Sequence, residues 1–367
     1  MVNKNRVIDR FKEMVALDSP SLNERLVCDY IKNYLFSLGI TAIEDNAGEK
    51  LGGTTGNLYA FIEGEGEPIL FSAHMDTVEP SHGKVAVVHD DGTITSNGDT
   101  VLGSDDLAGV NAILEALTVI KENDLPHRPI ELVFTVSEET HCGGVAYFDF
   151  SKLKSKGAYV FDMDGDVGTA ASSAPSILSY TVKFHGKSAH AGFAAHLGVH
   201  AVKAAALAVT KIPCGSLGDG VSANVGIIEG GKATNIVPDL CSITGEIRCF
   251  NDDDIDKRFN EVLDICNECA AEFGATTEEE HNKHIKAFAV PDSNEVVKRF
   301  KECCTRLGFS GECYPTFGGS DNNVFCEHGI DGIVVATAMN NCHAVNEFTT
   351  VDGLTNAAKL ALELMKI

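Results

Sequence analysis

The sequence predicts an α/β protein: a mostly parallel sheet with helices on both faces, carrying an inserted α+β module. Three observations predict it. Short apolar runs that read as buried strands alternate with helical stretches, as βαβ units require. Acidic and imidazole clusters follow those runs, at the carboxyl ends where open α/β sheets gather their function. At 367 residues the chain also exceeds one average domain, so two are expected.

Taken in order, the first ninety residues read helix, helix, strands. Ser21-Leu22-Asn23-Glu24 has the spacing of a capping box. Leu26, Tyr30, Ile31, Leu35 and Leu38 then follow at helical period, and Gly39 is the natural stop. Pro68 to Ala73 reads as a buried strand ending at His74. Asp105 and Asp106 precede a helix that continues to about Glu122. Ile130 to Val136 is a second buried strand delivering Glu138 and Glu139, and Tyr159-Val160-Phe161 a third, ending at Asp162 and Asp164.

Near Ser176 the pattern changes. Leu178 to Phe184 alternates at period two, as an antiparallel strand with one wet face does. Helices are expected over His200 to Lys211 and Asp254 to Phe273, with further strands at Asn224–Gly230, Cys241–Arg248 and the stretch through His284. Residues 176–286 are therefore expected to form the inserted module, and residues 1–175 and 287–367 the main α/β domain. Gly332 to Ala336 returns as a core strand of that domain.

Composition narrows the function. Hydrophobic residues make up 44% of the chain, a globular value. Asp and Glu number 53 against 29 Lys and Arg, for a formal charge of −24. Such a field repels phosphate backbones and anionic membranes, so neither nucleic acid nor membrane is an expected partner. The N-terminus leads straight into an amphipathic helix without the apolar core of a signal peptide, and no segment approaches a membrane span. The 12 cysteines are then read as reduced residues of a cytoplasmic protein. Cys266-x-x-Cys269 lies within a helical pattern without a partner pair, so it does not read as a zinc knuckle.

The chemistry lies in five clusters: His74-Met75-Asp76, Gly103-Ser104-Asp105-Asp106, Ser137-Glu138-Glu139, Asp162-Met163-Asp164-Gly165 and Asn341-Cys342-His343. Divalent cations of borderline hardness take nitrogen and oxygen ligands, and two ions close together need a carboxylate between them. A His two residues before an Asp at a strand end puts both side chains on one face, so Asp76 can orient His74. Asp105-Asp106 alone would more often be a helix cap than a ligand pair. Adjacent glutamates after an apolar strand repel unless a cation or proton separates them, and one ligating plus one free glutamate suits metal-assisted hydrolysis. Taken singly each cluster has an ordinary explanation in a charged loop or turn; the ordered set reads as a dinuclear metal hydrolase.

Those five stretches, together with Gly318-Gly319-Ser320-Asp321, resemble the M20 metallopeptidase family, most closely its peptidase T (tripeptidase) and peptidase T-like branch, over nearly the full chain. The resemblance implies a zinc-peptidase-like fold whose inserted module is a lid or dimerisation domain, a short-peptide substrate and a homodimer formed through the lid. It implies two divalent metal ions, zinc first, with cobalt and manganese also suited to such donors. His74 and Asp164 would bind one ion, Glu139 and His343 the other, and Asp105 would bridge them. Asp162 and Asp164 are both available for the fourth position; counting from Tyr159 to the glycine that follows favours Asp164. Glu138 would be general base and then acid, with Asp76 holding His74. His190, in Gly186-Lys187-Ser188-Ala189-His190-Ala191-Gly192, would stabilise the oxyanion, as a fixed donor must. Asn235 and Arg248 would bind substrate, although a lid salt bridge explains Arg248 almost as well.

The activity so implied is release of the N-terminal residue from short peptides, tripeptides foremost. A carboxypeptidase or N-acyl amino acid hydrolase would use the same metals, and the residues of the lid pocket separate the two. A non-catalytic peptide-binding protein would have lost Glu138 or a ligand; every position is filled.

Overall fold

The computed structural model describes all 367 residues, and the chain divides into two compact units. The larger comprises Met1–Ser173, Ala289–Thr316 and Ser320–Ile367; the smaller comprises Ala174–Phe288 with Phe317–Gly319.

The larger unit is built on a parallel core of four strands. Ile69–His74 lies between Ile130–Thr135 and Gly157–Asp164, and Asp331–Met339 continues the sheet beside Gly157–Asp164, every pair parallel. Antiparallel partners flank it, Leu58–Ile62 beside Ile130–Thr135 and Thr169–Ala174 beside Asp331–Met339, and short strands extend both edges. Residues Ile69–His74 and Ile130–Thr135 are buried throughout, which is why their sequences are continuous apolar runs and do not alternate. Helix Ser104–Asn123 packs on three of the core strands and against helices Lys4–Val15 and Val351–Met365. Its buried Glu115 is neutralised by Arg6 (2.7 Å) and Arg10 (3.0 Å), a pairing that burial of a carboxylate demands.

The smaller unit is a five-stranded antiparallel sheet in the order Gly215–Gly218, Val221–Gly230, Leu240–Cys249, Ser176–His185, Thr276–Ile285. Along Leu240–Cys249 burial alternates residue by residue. The inward side chains, among them Tyr180, Val182, Phe184, Ile243 and Ile247, meet the buried stripes of helices Ala201–Lys211 and Asp252–Glu272. Cys266 and Cys269 belong to that core, and all 12 cysteines are free.

The capping box expected at Ser21–Glu24 is absent. Helix Arg25–Ser37 starts after Glu24 with no side-chain cap, because both polar side chains are engaged elsewhere. Ser21 Oγ donates to Asp76 Oδ2 (2.7 Å), and Glu24 Oε1 accepts from Leu22 N (2.8 Å) and Ser137 N (3.0 Å).

Candidate metal centre

Each core strand ends in a turn that presents a functional side chain. His74 closes its strand, Ser137-Glu138-Glu139 follows Ile130–Thr135, Asp162 lies near the end of Gly157–Asp164, and His343 follows Asp331–Met339. Ser137 (φ 53°), Asn341 (φ 54°) and His343 (φ 65°) hold left-handed backbone without being glycine. Such conformations cost about 1 kcal/mol or more each and collect where a turn must aim a side chain.

At the centre stands Asp105. Its Oδ1 lies 3.1 Å from His74 Nε2 and its Oδ2 lies 3.2 Å from His343 Nε2, so one carboxylate faces two imidazoles from opposite oxygens. On the His74 side, Asp162 Oδ1 is 3.5 Å from Nε2; on the other, Glu139 Oε2 is 2.9 Å from His343 Nε2. The donor atoms of His74, Asp105 and Glu139 lie within 4.8 Å of one another, as do those of His74, Glu138 and Asp162.

The structure places Asp162, and not the Asp164 favoured by spacing, beside His74. Asp164 is exposed and belongs to neither group, whereas the Asp162 side chain, 8% exposed, lies against His74. The two share a strand face, but Asp164 lies two residues further along the strand, past the layer in which the other side chains converge.

Charge in this cluster is heavily negative. Burial, reinforced by Asp105, raises Glu139 to about 7, and burial likewise raises Asp162 to about 7 against the opposing pull of His74. Glu138 is pushed well above its ordinary range by burial and by the charge of Asp162. His343 is raised to about 10 by its hydrogen bonds to Asp105 and Glu139. Burial works against protonation of His74, but Asp162, Asp105 and Asp76 outweigh it and raise that imidazole well above its usual value. Protons are thus held where a cation would balance the carboxylates.

Asp76 holds more than His74. His74 Nδ1 is 2.9 Å from the Asp76 carbonyl and 3.4 Å from its carboxylate. The carboxylate itself accepts from Glu138 N (2.9 Å) and Glu139 N (3.2 Å), fixing the turn that carries both glutamates. Asp106 accepts from His74 N (3.1 Å) and Gly109 N (3.2 Å), a local brace and no ligand.

Two residues of this site were not singled out from the sequence. Glu347 is buried and accepts from Leu102 N (2.7 Å), Gly103 N (2.8 Å), Ser104 Oγ (2.5 Å) and Asp105 N (3.0 Å), clamping the segment that delivers Asp105. Glu24 stands behind Ser137 and Asp76; burial and the Asp76 charge raise it to about 7. The acid at 347 beside Asn346 was visible, but nothing local shows its partners.

The remaining candidates lie in the smaller unit. His190 is exposed; its Nδ1 accepts from Gly192 N (3.1 Å) and its ring stacks on Phe193 at 3.9 Å. Asn235 is exposed, with its carbonyl accepting from Ala191 N (2.9 Å). Arg248 is tied to Glu246 Oε1 (2.6 Å) and to the Phe317 carbonyl.

Comparison with known proteins agrees with this architecture. A model of the peptidase dimerisation domain matches residues 173–273, and one of peptidase family M28 matches residues 57–210. The crystal structure of a tripeptidase from Staphylococcus aureus is 33% identical, covers 100% of this chain and 98% of its own, and superposes with a TM-score of 0.96. That of the aminopeptidase PepT from Bacillus cereus is 33% identical over 99% and 98%, with a TM-score of 0.91. Peptidase T from Salmonella arizonae is 24% identical over 99% of this chain and 98% of its own. The chain belongs to the M20 metallopeptidase family, in its peptidase T-like branch. It is a metal-dependent peptide hydrolase. No helix is long and apolar enough to cross a membrane.

Proposed function

We propose that this peptidase is a dinuclear aminopeptidase that releases the N-terminal residue of short peptides, tripeptides foremost. The observation that carries the reading is Asp105, whose two oxygens face His74 and His343 at 3.1 and 3.2 Å. A carboxylate shared in this way is what a pair of cations requires.

The residues present fit two ions. Carboxylates outnumber imidazoles, the donors are nitrogen and oxygen only, and Glu139 Oε1 is buried without a hydrogen-bond partner. His74 and Asp162 would hold one ion and Glu139 and His343 the other, with Asp105 between. Such a donor set suits zinc, and cobalt or manganese as well. When bound, ions at such a site polarise the scissile carbonyl and make water more acidic.

Glu138 does the proton work. Its carboxylate takes the proton from the attacking water and delivers it to the departing amine, and a raised proton affinity suits both halves of that task. Asp76, through the amides of Glu138 and Glu139, holds base and ligand in fixed relation. His190 would donate to the oxyanion, and Asn235 and Arg248 would hold substrate, with Arg248 exchanging its present partners for a substrate oxygen. The lid module is proposed to pair two chains as a homodimer, in keeping with the dimerisation-domain match over residues 173–273. The likeness to the Staphylococcus aureus tripeptidase and the Bacillus cereus aminopeptidase supports the substrate class.

The test is turnover by metal-reloaded protein on a free tripeptide, its N-acetylated form and its C-terminal amide. Cleavage of the free and amidated peptides but not the acetylated one is expected. Activity that needs the free carboxylate and tolerates the acetyl group would replace this reading with a carboxypeptidase or N-acyl amino acid hydrolase.

A further inference from the structure

Behind Glu138 lies another group of ligand-type side chains. Glu138, Cys142 and Asp321 each bring a donor atom within 4.8 Å of the other two, and all three residues are buried. The Cys142 amide donates to the Glu138 carbonyl (2.7 Å), closing a turn that folds the thiol back until Sγ lies 3.4 Å from Glu138 Oε1. Asp321 opens helix Asp321–Glu327 and is 1% exposed. Its Oδ2 accepts from Thr135 Oγ1 (2.5 Å), while Oδ1 is buried with no hydrogen-bond partner.

Two buried carboxylates flanking a thiol repel one another unless a proton or a cation relieves the charge between them. A partnerless buried oxygen is unfavourable in addition. A cation removes both costs. With one sulfur and two oxygens the donor set differs from the nitrogen–oxygen set around Asp105, and a sulfur donor favours zinc-like ions over manganese or magnesium.

We propose that Glu138, Cys142 and Asp321 form a third cation site for a thiophilic divalent ion in excess, and that filling it withdraws Glu138 from proton transfer. The inhibitory part rests on the reading of Glu138 as general base. On binding, the Cys142 thiol passes its proton to solvent and the ion takes the thiolate. The device makes excess zinc or cadmium inhibitory while excess manganese is tolerated.

The experiment starts from protein reloaded to full activity and titrates it with cadmium under a thiol-free reductant. Bound metal, the ultraviolet thiolate-to-cadmium charge-transfer band and tripeptide turnover are followed together. One further ion per chain is expected, with the band growing as turnover falls, and with no inhibition by the same excess of manganese. Cys142→Ser should abolish the band and raise the inhibitory cadmium concentration at least tenfold; Cys342→Ser should change neither. Asp321→Asn, which keeps an acceptor for Thr135, should keep the band but weaken cadmium binding, and it covers the case in which Cys142→Ser does not fold. Absence of a further ion, or a band and inhibition unchanged in Cys142→Ser, overturns the site. A band that grows without loss of turnover upholds the site and instead overturns Glu138 as the base.

Discussion

Asp162 and Asp164 stand two residues apart on one face of one strand, and only the nearer has its side chain against His74. At the end of a sheet one pleat decides whether a carboxylate meets the converging ligands or points past them. Asp162→Asn should therefore lower the metal content of reloaded protein by about one ion per chain and reduce turnover by about a hundredfold or more, since loss of even a group behind the ligands costs about 10–100-fold. Asp164→Asn should keep its full complement, with turnover within about threefold. Metal analysis after removal of free ions decides between them, and the reverse pattern would restore Asp164 as the ligand.

At the scale of elements, the turn Ser137-Glu138-Glu139 is held from behind by two acids, Asp76 and Glu24. Glu24 is buried, and its carboxyl is raised from 4.5 to about 7 by burial and by Asp76. Between those values the folded chain keeps a proton that the unfolded chain has released. Stability from this group is thus full below about pH 4.5 and lost as pH rises through about 7. Glu24→Gln stays neutral and keeps an acceptor for Ser137 N. Relative to the parent, it should gain stability from pH 5 to pH 8, by about 3 kcal/mol or less. Denaturant unfolding of metal-free protein at both pH values measures this; a difference between the two chains that does not change with pH would sink the account. The same residue shows how far the sequence could be read. The buried strands at 69–74 and 130–135 were legible because burial on both faces writes a continuous apolar run, and the alternation at 178–184 because one face stays wet. Ser21 and Glu24 misled because their partners lie 55 and 113 residues away, and local spacing shows only local competition. Glu347 was overlooked for the same reason, its four donors lying 242 to 245 residues back in the chain. Ligand types at strand ends could be read in order, but which of two acids one pleat apart turns inward is decided by how far the strand runs.

For the whole molecule, two chains are expected to make the working enzyme. The smaller unit carries the dimerisation-domain match over residues 173–273. Within it, Ile227 and Ile228 are 55% and 48% exposed on strand Val221–Gly230, just after a register shift that follows Val225. Adjacent large apolar side chains in water mark a surface to be covered, since each area removed returns about 25 cal/mol per Å². A formal charge of −24 on each chain opposes pairing at long range, so salt should tighten a dimer held by apolar contact. Sedimentation velocity is expected to give the mass of two chains, with dissociation less at 0.5 M than at 0.05 M salt. Ile227→Glu with Ile228→Glu should give single chains with unchanged metal content, because the proposed ligands all belong to the larger unit. If His190 serves the neighbouring chain, turnover by that variant falls at least tenfold while its metal content stays normal, as loss of one oxyanion donor would produce. Full turnover by a stable monomer would mean that each chain completes its own site. A parent protein that sediments as one chain at every salt concentration would remove the dimer altogether.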